Sequence, residues 1–174
     1  MPELITPTTR LHAAWLESRD EWGRGVHQDG AGMRPHDDHD SADGFAKWVR
    51  RLHAEEDLAV PPARDWVHCT HRWMVEGDRV LGAISLRHGL NHFLINVGGH
   101  IGYGVRPSER RKGLASWALG LMLEQARRLE LPRVLITCRL ANVASARTIE
   151  KAGGVFEDER GSGDDRVRRY WITL

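Results

Sequence analysis

Three adjacent cations stand immediately before a glycine and an alanine in Arg110-Arg111-Lys112-Gly113-Leu114-Ala115, between an aliphatic run and a long amphipathic stretch. This position predicts the first turn of a helix, where unpaired backbone N–H groups and the positive end of the helix dipole attract an anion. Glycine and alanine let a phosphate approach that backbone closely. Arg and Lys at a positive helix end each cost the free protein ~0.3 kcal/mol or more, a cost that an anionic ligand removes. The segment lacks GxxxxGK[ST], and no GxGxxG follows a strand. Nucleotide hydrolysis and dinucleotide redox chemistry are therefore disfavoured.

Other groups carry weaker signals. His36-Asp37-Asp38-His39-Asp40 has metal-compatible side chains, with two histidines three apart. Structural zinc needs four placed Cys or His ligands, and a calcium loop needs a central Gly and a terminal Glu. The run therefore reads as a solvated loop, and no metal is expected. Cys69 and Cys138 form no CxxC pair and read as reduced, structural thiols. His88, Asn91 and His92 form a polar group at a turn, either lining the acceptor cleft or facing solvent, with solvent the preferred reading.

The elements that must hold these residues follow from periodicity. Leu11, Ala14, Trp15 and Trp22 predict a helix over about 8–22, and Phe45, Trp48, Val49 and Leu52 predict a second. Between them, residues 23–43 contain Gly23, Gly25, Gly30 and Gly32 and few apolar side chains, which predicts a surface loop. Its length suits a cover over a substrate. From Val67 the pattern becomes strand-like, with a hairpin over 72–75 and 79–87 turning at Glu76-Gly77-Asp78, and a further strand over 98–105. A helix over 108–131, a buried strand over 133–138 and a helix from Asn142 ending at Gly153-Gly154 follow, then strands over 155–159 and 167–173. The fold class is α/β, an α+β mixed sheet flanked by helices. It is mostly antiparallel, with one parallel pair made by the strand-helix-strand unit from Gly98 to Cys138. One domain is expected over 1–174, with helices and loop (1–66) covering the acceptor side of a sheet and binding core (67–174).

Arg110, Gly113 and Ala115 occupy the defining places of RxxGxA, the acetyl-CoA signature of GNAT N-acetyltransferases. Gly102-Tyr103-Gly104-Val105-Arg106-Pro107 resembles that family's fourth strand and its exit. Asn142-Val143-Ala144-Ser145 with Glu150-Lys151-Ala152-Gly153-Gly154 resembles its later motif. The resemblance covers about 73–174 and is similar to a little-described group of predicted bacterial acetyltransferases. It implies a GNAT-like sheet with the parallel pair at the cofactor cleft, acetyl-CoA as co-substrate, and acetyl transfer to a primary amine by direct attack in a ternary complex. It further implies that the backbone of Tyr103 and Val105 pairs with the pantetheine arm. Arg110, Arg111, Lys112, Gly113, Leu114, Ala115, Asn142 and Ser145 would bind the cofactor, with the amides from Arg111 to Ala115 on the pyrophosphate, Asn142 on the arm and Ser145 one helical turn further on.

Many relatives carry a tyrosine acid seven residues after the motif asparagine, and that place here is Ile149. Ser145 is the preferred substitute, with Tyr103 and Tyr170 as alternatives. His100 is the candidate base, since an unperturbed imidazole pKa of about 6.5 suits proton acceptance at neutral pH; a hydrogen-bonded structural histidine is the other reading. The missing tyrosine leaves open a non-catalytic acyl-CoA-binding or sensing module. The acceptor would be a small-molecule amine or a peptide amine.

Composition bounds the partners. Lys plus Arg number 25 and Asp plus Glu 24, a formal net charge of +1, which argues against bulk binding of nucleic acid or anionic membrane. No long apolar run occurs and MPELITPTTR lacks the order of a signal peptide, so the expected location is cytoplasmic. A homodimer is the commonest oligomer in general.

Overall fold

A computed structural model describes all 174 residues. Strands whose alternate positions are both apolar are buried on both faces, and β2 (Cys69–Glu76), β3 (Arg79–Arg87), β4 (Ile101–Val105) and β5 (Arg133–Arg139) form the centre of a seven-stranded sheet. Its order is β1-β2-β3-β4-β5-β7-β6, with β1 at Glu3–Ile5, β6 at Val155–Arg160 and β7 at Val167–Thr173. Every neighbouring pair is antiparallel except β4 with β5. β1 was not foreseen, because three residues are too few to show alternation; it pairs Leu4 with Met74.

Four helices cover the sheet: α1 (His12–Trp22), α2 (Ala42–Glu56), α3 (Leu114–Arg128) and α4 (Val143–Lys151). None is long and apolar enough to cross a membrane. On one face, Met74, Ile84, Ile101 and Ile136 pack with Ala118, Leu119 and Met122 of α3 and Ile149 of α4. On the other, Trp73, Val75 and Ala83 meet Trp15 of α1 and Phe45, Trp48 and Leu52 of α2. Trp48 lies 4.8 Å from Trp15 and 5.8 Å from Trp73 between ring centroids, so the indoles form one packed cluster. Arg106, at the end of β4, ties that strand to α1 through Glu21 (2.5 Å) and Glu17 (2.7 Å).

Two expected elements differ. The predicted helix over 108–131 begins only at Leu114, after a 3-10 turn at Pro107–Glu109, because Arg111 (φ +62°) and Gly113 (φ +82°) turn left-handed. The cationic run thus precedes the helix. The strand predicted over 98–105 begins only at Ile101, since a π-helical turn over Leu94–Gly98 takes its first residue.

The loop over 23–43 is not a merely solvated connection, since Gln28, Ala31 and His39 are buried. A Cβ on Gly30 would lie 2.5 Å from the Gly102 carbonyl, and one on Gly104 would lie 2.9 Å from the Asp29 carbonyl. Glycines in both layers therefore let the loop backbone lie directly on β4. The His36–Asp40 run is likewise structural. Asp38 accepts from the amides of Asp40 (2.9 Å) and Ser41 (3.1 Å), while Ser41 caps α2 through Gly44 N–H (3.0 Å). No group of three or more His, Cys, Asp or Glu is arranged to hold a metal ion.

Gly30→Ala, with φ +80° and the blocked Cβ position, is expected to lower stability by about 1–3 kcal/mol in urea unfolding. Gly25→Ala, at φ +77° but in open space, is expected to cost less.

Candidate active site

The site begins where β4 and β5 part. They share one paired position, Ile101 with Ile136, while β4 stays paired with β3 along its length and β5 with β7. Bonds from Arg87 N–H to His100 C=O and from Arg106 N–H to Leu81 C=O bracket β4, and antiparallel pairing alternates direction. The backbone groups of Tyr103 and Val105 consequently point toward the diverged β5 side and form a strand edge with no partner strand. The Val105 carbonyl also accepts from Arg110 Nε at 3.0 Å.

Close to the end of this edge lies the start of α3. The first intrahelical bond runs from Trp117 N–H to Gly113 C=O, so the amides of Leu114, Ala115 and Ser116 have no intrahelical acceptor, and no side chain caps them. A Cβ on Gly113 would meet open space. The cations are less free than their sequence suggests. Arg110 stacks over Trp22 at 4.6 Å, and Lys112 pairs with Glu109 at 2.8 Å, which partly offsets the dipole cost. Arg111 makes no side-chain hydrogen bond or ion pair and is exposed.

On the far side of the gap, Asn142 caps α4 by accepting from Ser145 N–H at 3.0 Å. Ser145 Oγ lies 2.8 Å from the Tyr103 hydroxyl, which reaches across from β4. Burial pushes the Tyr103 pKa up to about 12, against the opposing effect of Ser145, so this hydroxyl stays protonated. Tyr170 is in the core, bonded to Glu150 at 3.2 Å, and Ile149 is fully buried beneath Gly154.

His100 is not placed as a base. Its Nδ1 accepts from Leu135 N–H at 2.8 Å, and its own N–H donates to Leu135 C=O at 2.7 Å, so the imidazole stands in for a ladder acceptor between β4 and β5. Its ring packs on Trp171, outside the cavity lining. Burial, then the Arg87 guanidinium, lower its pKa to about 4. His88 is also committed, 2.8 Å from Thr70 Oγ1, rather than facing solvent.

Tyr103, Cys138, Asn142 and Ser145 open into a cavity of about 670 Å³. Its floor crosses the sheet along the paired row Gly102, Ser85 and His71, and residues of the 27–34 segment roof it. Both cysteines line it, which a purely structural role did not anticipate. Sequence reasoning missed His27, Asp29, Arg34, Glu55, His71, Ser85 and Arg87, all of which line it. His27 lies 3.5 Å from Asp29, whose hydrogen bond raises the imidazole pKa. The only prior signal was a His-x-Asp within the glycine-rich loop.

Residues 10–155 match the model of the acetyltransferase (GNAT) domain. Among solved structures, an acetyltransferase from Salmonella typhimurium that modifies the N-terminal serine of ribosomal protein L7/L12 aligns at 18% identity and TM-score 0.66, over 99% of this chain and 95% of that one. The microcin C7 self-immunity acetyltransferase MccE, solved with acetyl-CoA and AMP, aligns at 12% identity and TM-score 0.70, over 99% and 92%. A GNAT-family acetyltransferase from Streptococcus pneumoniae aligns at 12% identity and TM-score 0.65 over the whole of both chains. These likenesses show a shared fold. A search of curated proteins gives no match.

His100→Ala leaves a buried amide unpaired and is expected to cost about 1–3 kcal/mol of stability, with little effect on turnover. The unfolded imidazole takes a proton that the folded one refuses between its ordinary 6.5 and about 4, so wild-type stability should fall as pH falls through that window. The variant should lack that component in pH-dependent unfolding. Lost turnover at unchanged stability would return His100 to the chemistry.

Proposed function

Because the chain belongs to the GNAT acetyltransferase family, with acetyl-CoA as its co-substrate, we propose that it acetylates a primary amine by direct attack while both substrates are bound. The observation that carries this reading is the parted β4–β5 edge, which joins the uncapped start of α3 to a cavity large enough for a second substrate. Acetyl-CoA supplies the acetyl group as a thioester, so no covalent enzyme intermediate is needed.

The residues present fit that molecule. The amides of Leu114, Ala115 and Ser116, with the open space over Gly113, suit a pyrophosphate, and Arg111 is the cation free to meet it. The strand edge at Tyr103 and Val105 suits an amide-bearing arm, which would pair there as an added strand. Asn142 spends its Oδ1 on the α4 cap, which leaves its Nδ2 to donate to the same arm.

Proton handling is divided between the two sides of the gap. A thiol leaves readily at a pKa of about 8.5 and needs one donor at the sulfur. The Tyr103 and Ser145 hydroxyls form that donor pair, in place of the tyrosine replaced by Ile149. An aliphatic amine, with a pKa of about 10.4, arrives protonated and must lose a proton before it attacks. His27, oriented by Asp29 on the roof and largely exposed, accepts it and passes it to solvent. This pair takes the role the sequence offered to His100.

Isothermal titration with acetyl-CoA and a thiol-release assay with amines test the assignment. Binding with release supports a transferase, whereas binding without release from any amine favours a sensing module. Gly113→Val is expected to weaken CoA binding by about 100-fold, because its side chain would fill the space over the amides. Tyr103→Phe or Ser145→Ala should lower kcat at least about ten-fold while CoA affinity stays nearly constant.

A further inference from the structure

The end of the cavity remote from the β4–β5 gap is built around one carboxylate. Glu55 takes His71 Nε2 on Oε2 (2.7 Å), and on Oε1 it takes Arg34 (2.8 Å) and Arg51 (2.7 Å). Arg51 also reaches Asp37 at 2.5 Å. Next along the floor, Arg87 bonds only the carbonyls of Gly98 (3.0 Å) and Gly99 (3.2 Å) and has no carboxylate partner. Three arginines therefore face two carboxylates. The cavity's other acids, Asp29 and Asp65, sit at its exposed rim beside His27 and Arg64.

Two polar atoms of this cluster are buried with no partner, His71 Nδ1 and Arg34 Nε, and both side chains line the cavity. His71 is only 4% exposed. Burial opposes its charged form, yet the Cys69 sulfur and the Glu55 carboxylate raise its pKa to about 9, so Nδ1 carries a proton at neutral pH. Arg34 is held rigidly, its guanidinium stacked on Trp66 at 3.8 Å, which orients Nε. Buried donors of this kind are normally satisfied, and surplus positive charge beside them selects an anionic oxygen. With His71 protonated, three arginines and one imidazolium face two carboxylates, and that excess suits an anionic group.

We infer that the acceptor is an amine that also bears a carboxylate, received by Arg34 Nε–H and His71 Nδ1–H while its amino group lies at the β4–β5 gap. This rests on the transferase reading above. The row His71, Ser85, Gly102 spans two strand spacings, about 10 Å, so the two groups of the acceptor stand roughly that far apart, as in a peptide of about three residues or an extended ω-amino acid. Polyamines and other polycations are disfavoured by the same charge.

The test compares matched acceptors in the thiol-release assay with the wild-type enzyme. Glycine oligomers and straight-chain ω-amino acids are each assayed as the free acid and as the amide, alongside spermidine. The free acids should be preferred by at least about ten-fold in kcat/KM, the worth of a charge-assisted hydrogen bond. Arg34→Gln should erase that preference at unchanged acetyl-CoA affinity; if it folds poorly, the wild-type comparison of acid with amide still decides. Equal use of amides, preference for spermidine, or release from no carboxylate-bearing amine overturns the inference. Release from uncharged or polycationic amines would leave the transferase reading standing, whereas acetyl-CoA binding with release from no amine at all would remove both.

Discussion

β4 and β5 run parallel but share one paired position, Ile101 with Ile136, and the arrangement of the site depends on that divergence. Each strand is satisfied on its outer side, β4 by β3 and β5 by β7, so the right-handed twist of the sheet separates them without breaking either ladder. The seam is pinned at its closed end by His100, whose ring nitrogen and amide both bond Leu135. At the open end only the Tyr103–Ser145 hydroxyl pair bridges it. An unpaired strand edge is normally a liability, and here it faces a cleft instead of another chain.

The glycines of β4 answer to a different contact, on the face of the sheet. Gly102 and Gly104 face the loop over 23–43, and their missing side chains let Gly30 and Asp29 press backbone against backbone. That contact makes the loop a roof. Its other half is held by the indole and phenyl cluster and by Asp37 and Asp38, so a segment with few apolar residues is nonetheless ordered by polar and backbone contacts. The roof brings His27 and Arg34 over a floor to which β2 and β3 contribute His71, Ser85 and Arg87.

Charge along the cavity is graded by how it is compensated. At the α3 end, Arg110 and Lys112 are engaged by Trp22 and Glu109, so the backbone amides and Arg111 remain as the anion-attracting groups. At the opposite end, Glu55 gathers His71, Arg34 and Arg51 but does not neutralise them all. Between the two lies the hydroxyl pair, buried enough to remain protonated. The two electropositive ends are thus separated by a neutral centre.

Local pattern in the chain was sufficient for the elements, because period and turn chemistry act over a few residues. The β2–β3 hairpin, the α4 cap at Asn142 and the left-handed Gly153 are written in adjacent side chains, as is the glycine before α3. β1 was too short to register, and the start of α3 moved because Glu109 is captured by Arg79 and Lys112 while Arg111 turns left-handed. Of the candidate site, the backbone edge, the helix start and the side chains of Asn142 and Ser145 were legible, because they sit inside local motifs. His100 looked free until Leu135, remote in sequence, took its ring nitrogen, and His71 is engaged by Glu55 on another element. The family motif, the order of elements after β1 and the single parallel pair were legible in the sequence itself. Which side chains share the cavity was decided by tertiary structure, because burial and partnership set an ionisable group's behaviour, and both come from residues far away along the chain.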